Sequence, residues 1–332
     1  MEPNTPDFAR PASAVAASIP LKMQAMGTIF TLHMEDVDPQ RAQSCFQAVR
    51  EEVERVEQVF SRFRASSELS RINRLAGREP VVTDPEVFQM LAAASEIGRR
   101  TEGSFDATIG PLGRAWGFAT RTPHLPDEET LQTAGAAVGW QYLQLDPADR
   151  SVFFLRPGME LDLGAMAKGY VVDRALEVLE ACEVEGLVDA GSSSLASTSG
   201  ASAALRTVAI GHPLEANRTL GEIHLDGRAL ATSGVREQSF QVAGRRYSHL
   251  LDPAGRADPH SIVQTSVLAP SATVADALST AMFLLGPERG GLAAARFDAC
   301  AVLWLVESSG GLACQAYNWP TPLDLAQEEL NR

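Results

Sequence analysis

Apolar and polar residues alternate along "MQAMGTIFTLHM" and then change period, Ala42, Cys45, Phe46, Val49, Val53, Val56 and Phe60 recurring every three or four residues in "PQRAQSCFQAVREEVERVEQVF". That switch predicts a strand followed by an amphipathic helix laid on a sheet. A second helix is expected after Thr83 or Asp84, in "TDPEVFQMLAAASEIGRR", with Pro85 near its first turn. "YLQLD" and "SVFFLR" flank a Pro-Ala-Asp turn and predict a hairpin. The stretch "ELDLGAMAKGYVVDRALEVLE" predicts a short strand, a glycine-containing turn and a helix, and "EGLVDAGSSS" a strand ending in a small-residue loop. Strand-like pieces then follow with little helix between them: "TVAIGH", "GEIHLDG", "ALATSG", "EQSFQVAG", "RRYSHLLD" and "IVQTSVLAP". Short neighbouring strands joined by turns pair antiparallel. The chain closes with the apolar helix "TVADALSTAMFLLG", a short helical "GGLAAARF", and the strands "ACAVLWLV" and "GGLACQAY". With no regular βαβα alternation, the pattern predicts an α+β protein of antiparallel sheets with packed helices.

Composition sets bounds on this picture. The 332 residues are 45% hydrophobic and 21% charged, enough to bury a substantial core in one large domain or two intimate lobes. The opening "MEPNTPDFARPASAVAASIP" is rich in Pro, Ala and Ser and predicts a disordered lead-in over residues 1–20, with the domain occupying 21–332. A formal net charge of −14 repels a phosphate backbone, so nucleic acid is not an expected partner. Cys45, Cys182, Cys300 and Cys314 are scattered, without a CxxC pair, and signal neither zinc nor a disulfide framework. No segment has the apolar length of a membrane span. As written, the expected location is the cytoplasm; a missing export signal would make it periplasmic or membrane-anchored.

Three stretches carry candidate chemistry. Asp276, Ser279 and Thr280 stand three and four residues apart on one helix face, a set of hard oxygen donors suited to Mg2+. The same residues fit a second account, a capping box in which Thr273 caps the helix and Asp276 reaches back to its first amides. In "LDLGAMAKGYVVD", Asp162 ends a strand, Gly164 and Gly169 flank the turn, and Lys168 lies near a helix start where backbone amides and a cation suit phosphate. A plain strand-to-helix corner with a solvated lysine accounts for it equally. In "YSHLLDP", His249 is placed in mid-strand as a candidate proton acceptor, or as a hydrogen-bonded core histidine. "QAMGTIF" and "GSFDATIGPL" put small residues where a flat ligand can approach backbone, with Asp106 alternatively a loop cap.

Taken in order, "AMGT", "FSRFRASSELSRIN", "SFDATIGPL", "LDLGAMAKGYVVD", "ATSG", "YSHLLDP" and "ADALST" resemble the ApbE family of flavin transferases, from about Met26 to about Val306. The resemblance implies an ApbE-like, T-fold-related architecture. It implies FAD as substrate, Mg2+ at the pyrophosphate, and transfer of FMN to a Thr or Ser hydroxyl of an acceptor flavoprotein subunit with release of AMP. It puts the metal on Asp276, Ser279, Thr280 and the backbone carbonyl of Ala165. The flavin falls to Met26, Phe63, Ser104, Phe105, Asp106, Asp162, Lys168 and Leu250. His249 becomes the base for the incoming hydroxyl, and Asp276 and Lys168 join it in catalysis. The chain departs from the family where "VDAGSSS" lacks the usual acid, where Asp252-Pro253-Ala254-Gly255 lacks a threonine, and at Phe63, often Tyr or Trp. Water in place of the protein acceptor gives the rival activity, an FAD pyrophosphatase yielding FMN and AMP; a noncatalytic FAD-binding protein is the third reading.

Overall fold

The computed structural model describes residues 9–11, 19–120, 122–215, 218–235, 239–242, 245–253, 261–308 and 311–321. In chain order the strands are Ala9–Pro11 (β1), Ile19–Ala25 (β2), Thr28–Met34 (β3), Val81–Val82 (β4), Leu143–Asp146 (β5), Ser151–Phe154 (β6), Gly186–Ala190 (β7), Ser194–Ser197 (β8), Thr207–Gly211 (β9), Thr219–His224 (β10), Ala229–Gly234 (β11), Ser239–Val242 (β12), Arg245–Ser248 (β13), Ile262–Ala269 (β14), Ala301–Ser308 (β15) and Gly311–Tyr317 (β16). The helices are Pro39–Phe60 (α1), Glu68–Leu75 (α2), Pro85–Arg100 (α3), Gly110–Ala115 (α4), Glu128–Ala136 (α5), Gly164–Ala181 (α6) and Ala272–Ala294 (α7). The fold is α+β with antiparallel sheets, as the pattern predicts. The described residues fall into two units, one from Met1–Arg55, Met166–Glu237 and Ser261–Arg332, the other from Val56–Ala165 and Gln238–His260.

The first unit is built on an eight-stranded sheet in the order β16-β15-β14-β11-β8-β7-β3-β2 and a three-stranded sheet β1-β9-β10. Within the segment read as a lead-in, β1 pairs antiparallel with β9 and β2 begins at Ile19; the rest of residues 1–18 lies outside the described residues. Register explains how the large sheet is covered. Leu230 pairs with Leu268, and these join Leu187, Leu195, Leu303 and Leu305 in a core shared with Val208 and Ile210 of β9 and Leu220 and Ile223 of β10. Successive residues of a strand face opposite sides. The intervening row, Ser233, Thr265 and Trp304 in register, therefore faces α7, where the Trp304 indole donates to the Met282 carbonyl at 2.9 Å. Every residue of β14 is buried, which this two-sided cover requires.

Up to Leu284 helix α7 is interior, with Ala275, Ala277, Leu278, Ala281, Met282 and Phe283 all fully buried, so its apolar residues are not confined to one stripe. The two helical stretches expected here meet at Gly286, whose φ of 74° and ψ of 176° break the helix ahead of Pro287. The seven apolar positions picked out on α1 are all buried.

The second unit holds the sheet β4-β6-β5, the hairpin β12-β13, and α2 to α5. The hairpin expected at "YLQLD" and "SVFFLR" is β5-β6. Short helices that the pattern did not single out are fixed by their caps: Ser67 accepts the Ser70 amide at α2, and Asp127 that of Thr130 at α5. Two expectations fail. The strand predicted at "ELDL" does not form: Glu160 makes a lone bridge to Ile109 and α6 starts at Gly164, so Lys168 and Gly169 lie inside the helix and not at a turn. β13 ends at Ser248, so His249 follows the strand and is not in its middle.

Candidate functional site

Met26, Lys168, Asp276, Ser279 and Thr280 belong to the first unit. Met26 and Gly27 form the two-residue turn between β2 and β3, both with positive φ (50° and 77°), as a hairpin of this length demands. Next to that turn, Thr28 lies against Gly191, where an added Cβ would come within 2.0 Å of the Thr28 hydroxyl. Gly191 opens the small-residue loop between β7 and β8. Its third residue, Ser193, accepts the Lys168 ammonium at 2.8 Å and donates to the Ala190 carbonyl at 3.1 Å. The lysine is thus aimed at this loop and is not merely solvated. The Ser193 carbonyl in turn receives the Thr232 amide at 2.8 Å, tying the loop to β11.

On α7 the capping account is overturned. The helix N-cap is Ser271, which accepts from the Val274 amide, and the first amides go elsewhere, to Asp173 of α6. Asp276 instead accepts the Gly169 amide of α6 on Oδ2 at 2.9 Å, and is 5% exposed. One turn on, Ser279 donates to the Asp276 carbonyl at 2.8 Å, while Ser233 of β11 approaches Ser279 at 2.8 Å and Thr280 at 3.3 Å. A single buried carboxylate with three hydroxyls beside it is a hard oxygen set of the kind Mg2+ accepts, since that ion keeps several of its waters.

Phe63, Ser104, Phe105, Asp106, Asp162, Ala165, His249 and Leu250 belong to the second unit. Ser104 to Asp106 follow α3 through Glu102 and Gly103, both left-handed, and all three are buried. Thr101 fixes the loop, its hydroxyl donating to Ile97 O at 2.8 Å and accepting the Phe105 amide at 3.2 Å. Asp106 accepts from the Thr108 amide and hydroxyl at 2.8 and 2.7 Å and from the Trp140 amide at 2.8 Å. Burial pushes its carboxyl above the usual range and these bonds pull against that. The loop is joined to the next candidate by the Asp162 amide, which donates to the Ala107 carbonyl at 2.7 Å.

Asp162 accepts the Gly164 amide at 2.9 Å and pairs with Arg62, whose guanidinium also lies 4.8 Å from the Phe63 ring centre. Phe63 is 56% exposed, a large apolar face left open to solvent. Asn73 of α2 brackets Leu161 with two bonds, 2.7 Å from its amide and 3.0 Å from its carbonyl, which fixes the approach to Asp162. His249 and Leu250 are carried by the β12-β13 hairpin. Phe240 and Tyr247 stack there at 5.6 Å and pack on Trp116. Ser248 accepts the Leu250 amide at 3.3 Å, and Leu251 packs on the cluster of Leu112, Ala134 and Val138.

Thr28, Ser193, Ser233, Asp173, Arg62 and Asn73 were not singled out from the sequence. Thr28, Arg62, Asn73, Asp173 and Ser233 lie inside the quoted "AMGT", "FSRFRASSELSRIN", "LDLGAMAKGYVVD" and "ATSG" motifs and Ser193 inside "VDAGSSS", so the motifs were visible while the contacts were not.

The model of the ApbE family matches residues 26–304. An FAD:protein FMN transferase of Klebsiella pneumoniae is 32% identical over 268 residues, covering 80% of this chain and 82% of its own. One of Vibrio cholerae is 32% identical over 264 residues, covering 78% of each. Among solved structures, the ApbE protein of Thermotoga maritima superposes with a TM-score of 0.81 at 28% identity, over 91% of this chain and 97% of its own. The apo flavinyl transferase ApbE of Pseudomonas stutzeri gives 0.77 at 28% identity, over 91% and 95%.

Proposed function

The chain belongs to the ApbE family, and from that premise we propose that it is an Mg2+-dependent FAD:protein FMN transferase, moving FMN to a Thr or Ser hydroxyl of an acceptor flavoprotein subunit and releasing AMP. Its class, transferase, is that of the relatives. The observation that carries the Mg2+ dependence is the seating of Asp276, buried on α7 with one carboxylate oxygen taken by the Gly169 amide.

Asp276 and Thr280 would hold the ion. Ser279 would join them, since donating its proton to the Asp276 carbonyl leaves an oxygen lone pair to act as a ligand. The Ala165 carbonyl, in the first turn of α6, is taken as a further donor on the family resemblance. Bound there, Mg2+ supplies Lewis-acid stabilisation of charge on the pyrophosphate. Lys168, directed at the Ser193 loop, adds a second positive charge for the AMP side of the broken bond. His249 takes the proton of the acceptor hydroxyl. Met26, Phe63, Ser104, Phe105, Asp162 and Leu250 bind the flavin nucleotide. Asp106 acts on that binding by holding its loop, with both carboxylate oxygens engaged by Thr108 and Trp140.

The test is incubation with FAD and Mg2+, with and without a flavoprotein subunit known to be labelled by another transferase. AMP release and covalent FMN on the subunit are followed by mass spectrometry. Metal-dependent labelling is expected, lost in Asp276→Ala, while His249→Ala depresses transfer more than FAD binding. AMP and free FMN without labelling would make the protein a pyrophosphatase, and no AMP at all a flavin binder.

A further inference from the structure

We propose that Asp173 is a positioning residue for the metal-holding face of α7, setting the affinity for Mg2+ without touching the ion. The proposal rests on the reading of Asp276 as a metal ligand. Helix α7 starts at Ala272, and the first amides of any helix lack acceptors within it. Ser271 takes one of them, at 3.3 Å. Asp173 of α6 takes two more at shorter range, Ala272 N to Oδ1 at 2.7 Å and Thr273 N to Oδ2 at 2.9 Å. The Thr273 hydroxyl adds a third bond at 2.5 Å. Charge-assisted bonds to a carboxylate are the strong ones, and here they meet the positive end of the helix dipole.

The two helices are tied reciprocally. Asp173 stands one turn beyond Gly169 on α6, and Asp276 one turn beyond Thr273 on α7; the aspartate of each helix accepts backbone amides of the other. Gly169 allows the approach, because a Cβ there would sit 2.0 Å from the Ala272 carbonyl oxygen. Two ties a turn apart fix both the slide and the rotation of α7 on α6. One tie leaves α7 able to pivot about the Gly169 amide, which moves the Asp276 carboxylate and, a turn later, Thr280. Partners that orient ligands in this way change metal affinity about 10- to 100-fold when removed.

The experiment compares the wild-type chain with Asp173→Asn, Thr273→Ala and Asp276→Ala. The Mg2+ half-saturation of AMP release is measured together with direct Mn2+ binding, read from the loss of the free-ion EPR signal. In Asp173→Asn the half-saturation and the Mn2+ dissociation constant are expected to rise together, about tenfold. The KM for FAD at saturating Mg2+ stays near wild type and high Mg2+ restores turnover. Thr273→Ala, which removes one bond and no charge, moves both in the same direction by less, and carries the test alone if the Asp173 variant does not fold. Wild-type metal affinity in both variants, with Asp276→Ala still losing it, would overturn the role of Asp173 and leave the metal reading standing. Loss of activity at every Mg2+ concentration without a shift in metal binding would overturn it as well, making Asp173 purely structural. Undiminished Mn2+ binding in Asp276→Ala would instead remove the reading on which the proposal stands.

Discussion

At residue 169 a missing methyl group decides how two helices meet. Gly169→Ala forces a Cβ into the Ala272 carbonyl, and backbone cannot yield there as a flexible side chain would. Overpacking of this kind costs about 1–3 kcal/mol, so urea unfolding should show a loss in that range, with AMP release falling as Asp276 loses its amide donor. A variant of wild-type stability and turnover would mean that α6 and α7 separate without consequence. Glu52 gives a prediction in pH. Its carboxyl is held down to about 2, first by the hydrogen bond from Arg55 and further by Arg174, against the opposing effect of burial. A depressed carboxyl contributes stability that is present above its unfolded value near 4.5 and is lost as pH falls toward about 2. Glu52→Gln should therefore lower stability at pH 7, with the difference from wild type shrinking as pH falls through that window and the acid limb correspondingly flatter; wild-type stability at pH 7 with an unchanged acid limb would show that the pairs with Arg55 and Arg174 are broken in solution. The sequence showed Asp276, Ser279 and Thr280 on one face because helical spacing is a local property. It did not show what Asp276 accepts from, since Gly169 is 107 positions away. The capping box was the natural local account, and it gave way to a contact between helices.

Elements were legible where one period ran long enough. Helix α1 shows its apolar stripe over 22 residues, and β14 is a β-branched and apolar run interrupted only by Gln264 and Ser266. Helix α2, only 8 residues long and fixed by Ser67, offers too few turns for a stripe to stand out. The "ELDL" stretch alternates as a strand does, yet Asn73 takes up both backbone groups of Leu161 and α6 begins at Gly164, which leaves no ladder to join. The apolar residues after His249 suggest a strand running through it, but β13 ends at Ser248, Leu250 is buried beyond that end, and the half-buried Leu251 packs on Leu112, Ala134 and Val138. The break in α7 carries the element-scale prediction. Gly286, at φ 74° and ψ 176°, occupies a region open essentially to glycine alone. Gly286→Ala should cost about 1–3 kcal/mol of stability through backbone strain. Because the break lies more than a turn beyond Thr280, the Mg2+ half-saturation of AMP release is expected to stay at its wild-type value. A rise in that half-saturation would show that the two halves of α7 move as one rod.

For the molecule as a whole, charge is the property the sequence states without any folding. The chain carries 42 acidic against 28 basic residues, a formal charge of −14, and its proposed substrate has an anionic pyrophosphate. Two fields then compete for FAD. The summed charge repels it at long range, while on the proposed reading Lys168, already engaged by Ser193, and the Mg2+ ion would attract it at short range. Salt separates the two, because the Debye length falls from about 30 Å at 0.01 M to about 8 Å at 0.15 M. Exposed charges spread over the surface are screened across that range, whereas a half-buried cation in contact with its ligand is screened little. With free Mg2+ held constant, kcat/KM for FAD should therefore rise as NaCl is added from low ionic strength and level off near 0.15 M. A steady fall would mean that the local cations dominate even at a distance and steer FAD toward the protein. In that case Lys168→Met, which removes one of those cations at similar size, should lose most of the salt dependence; if repulsion dominates, the same variant should keep the rise with salt at a lower overall rate.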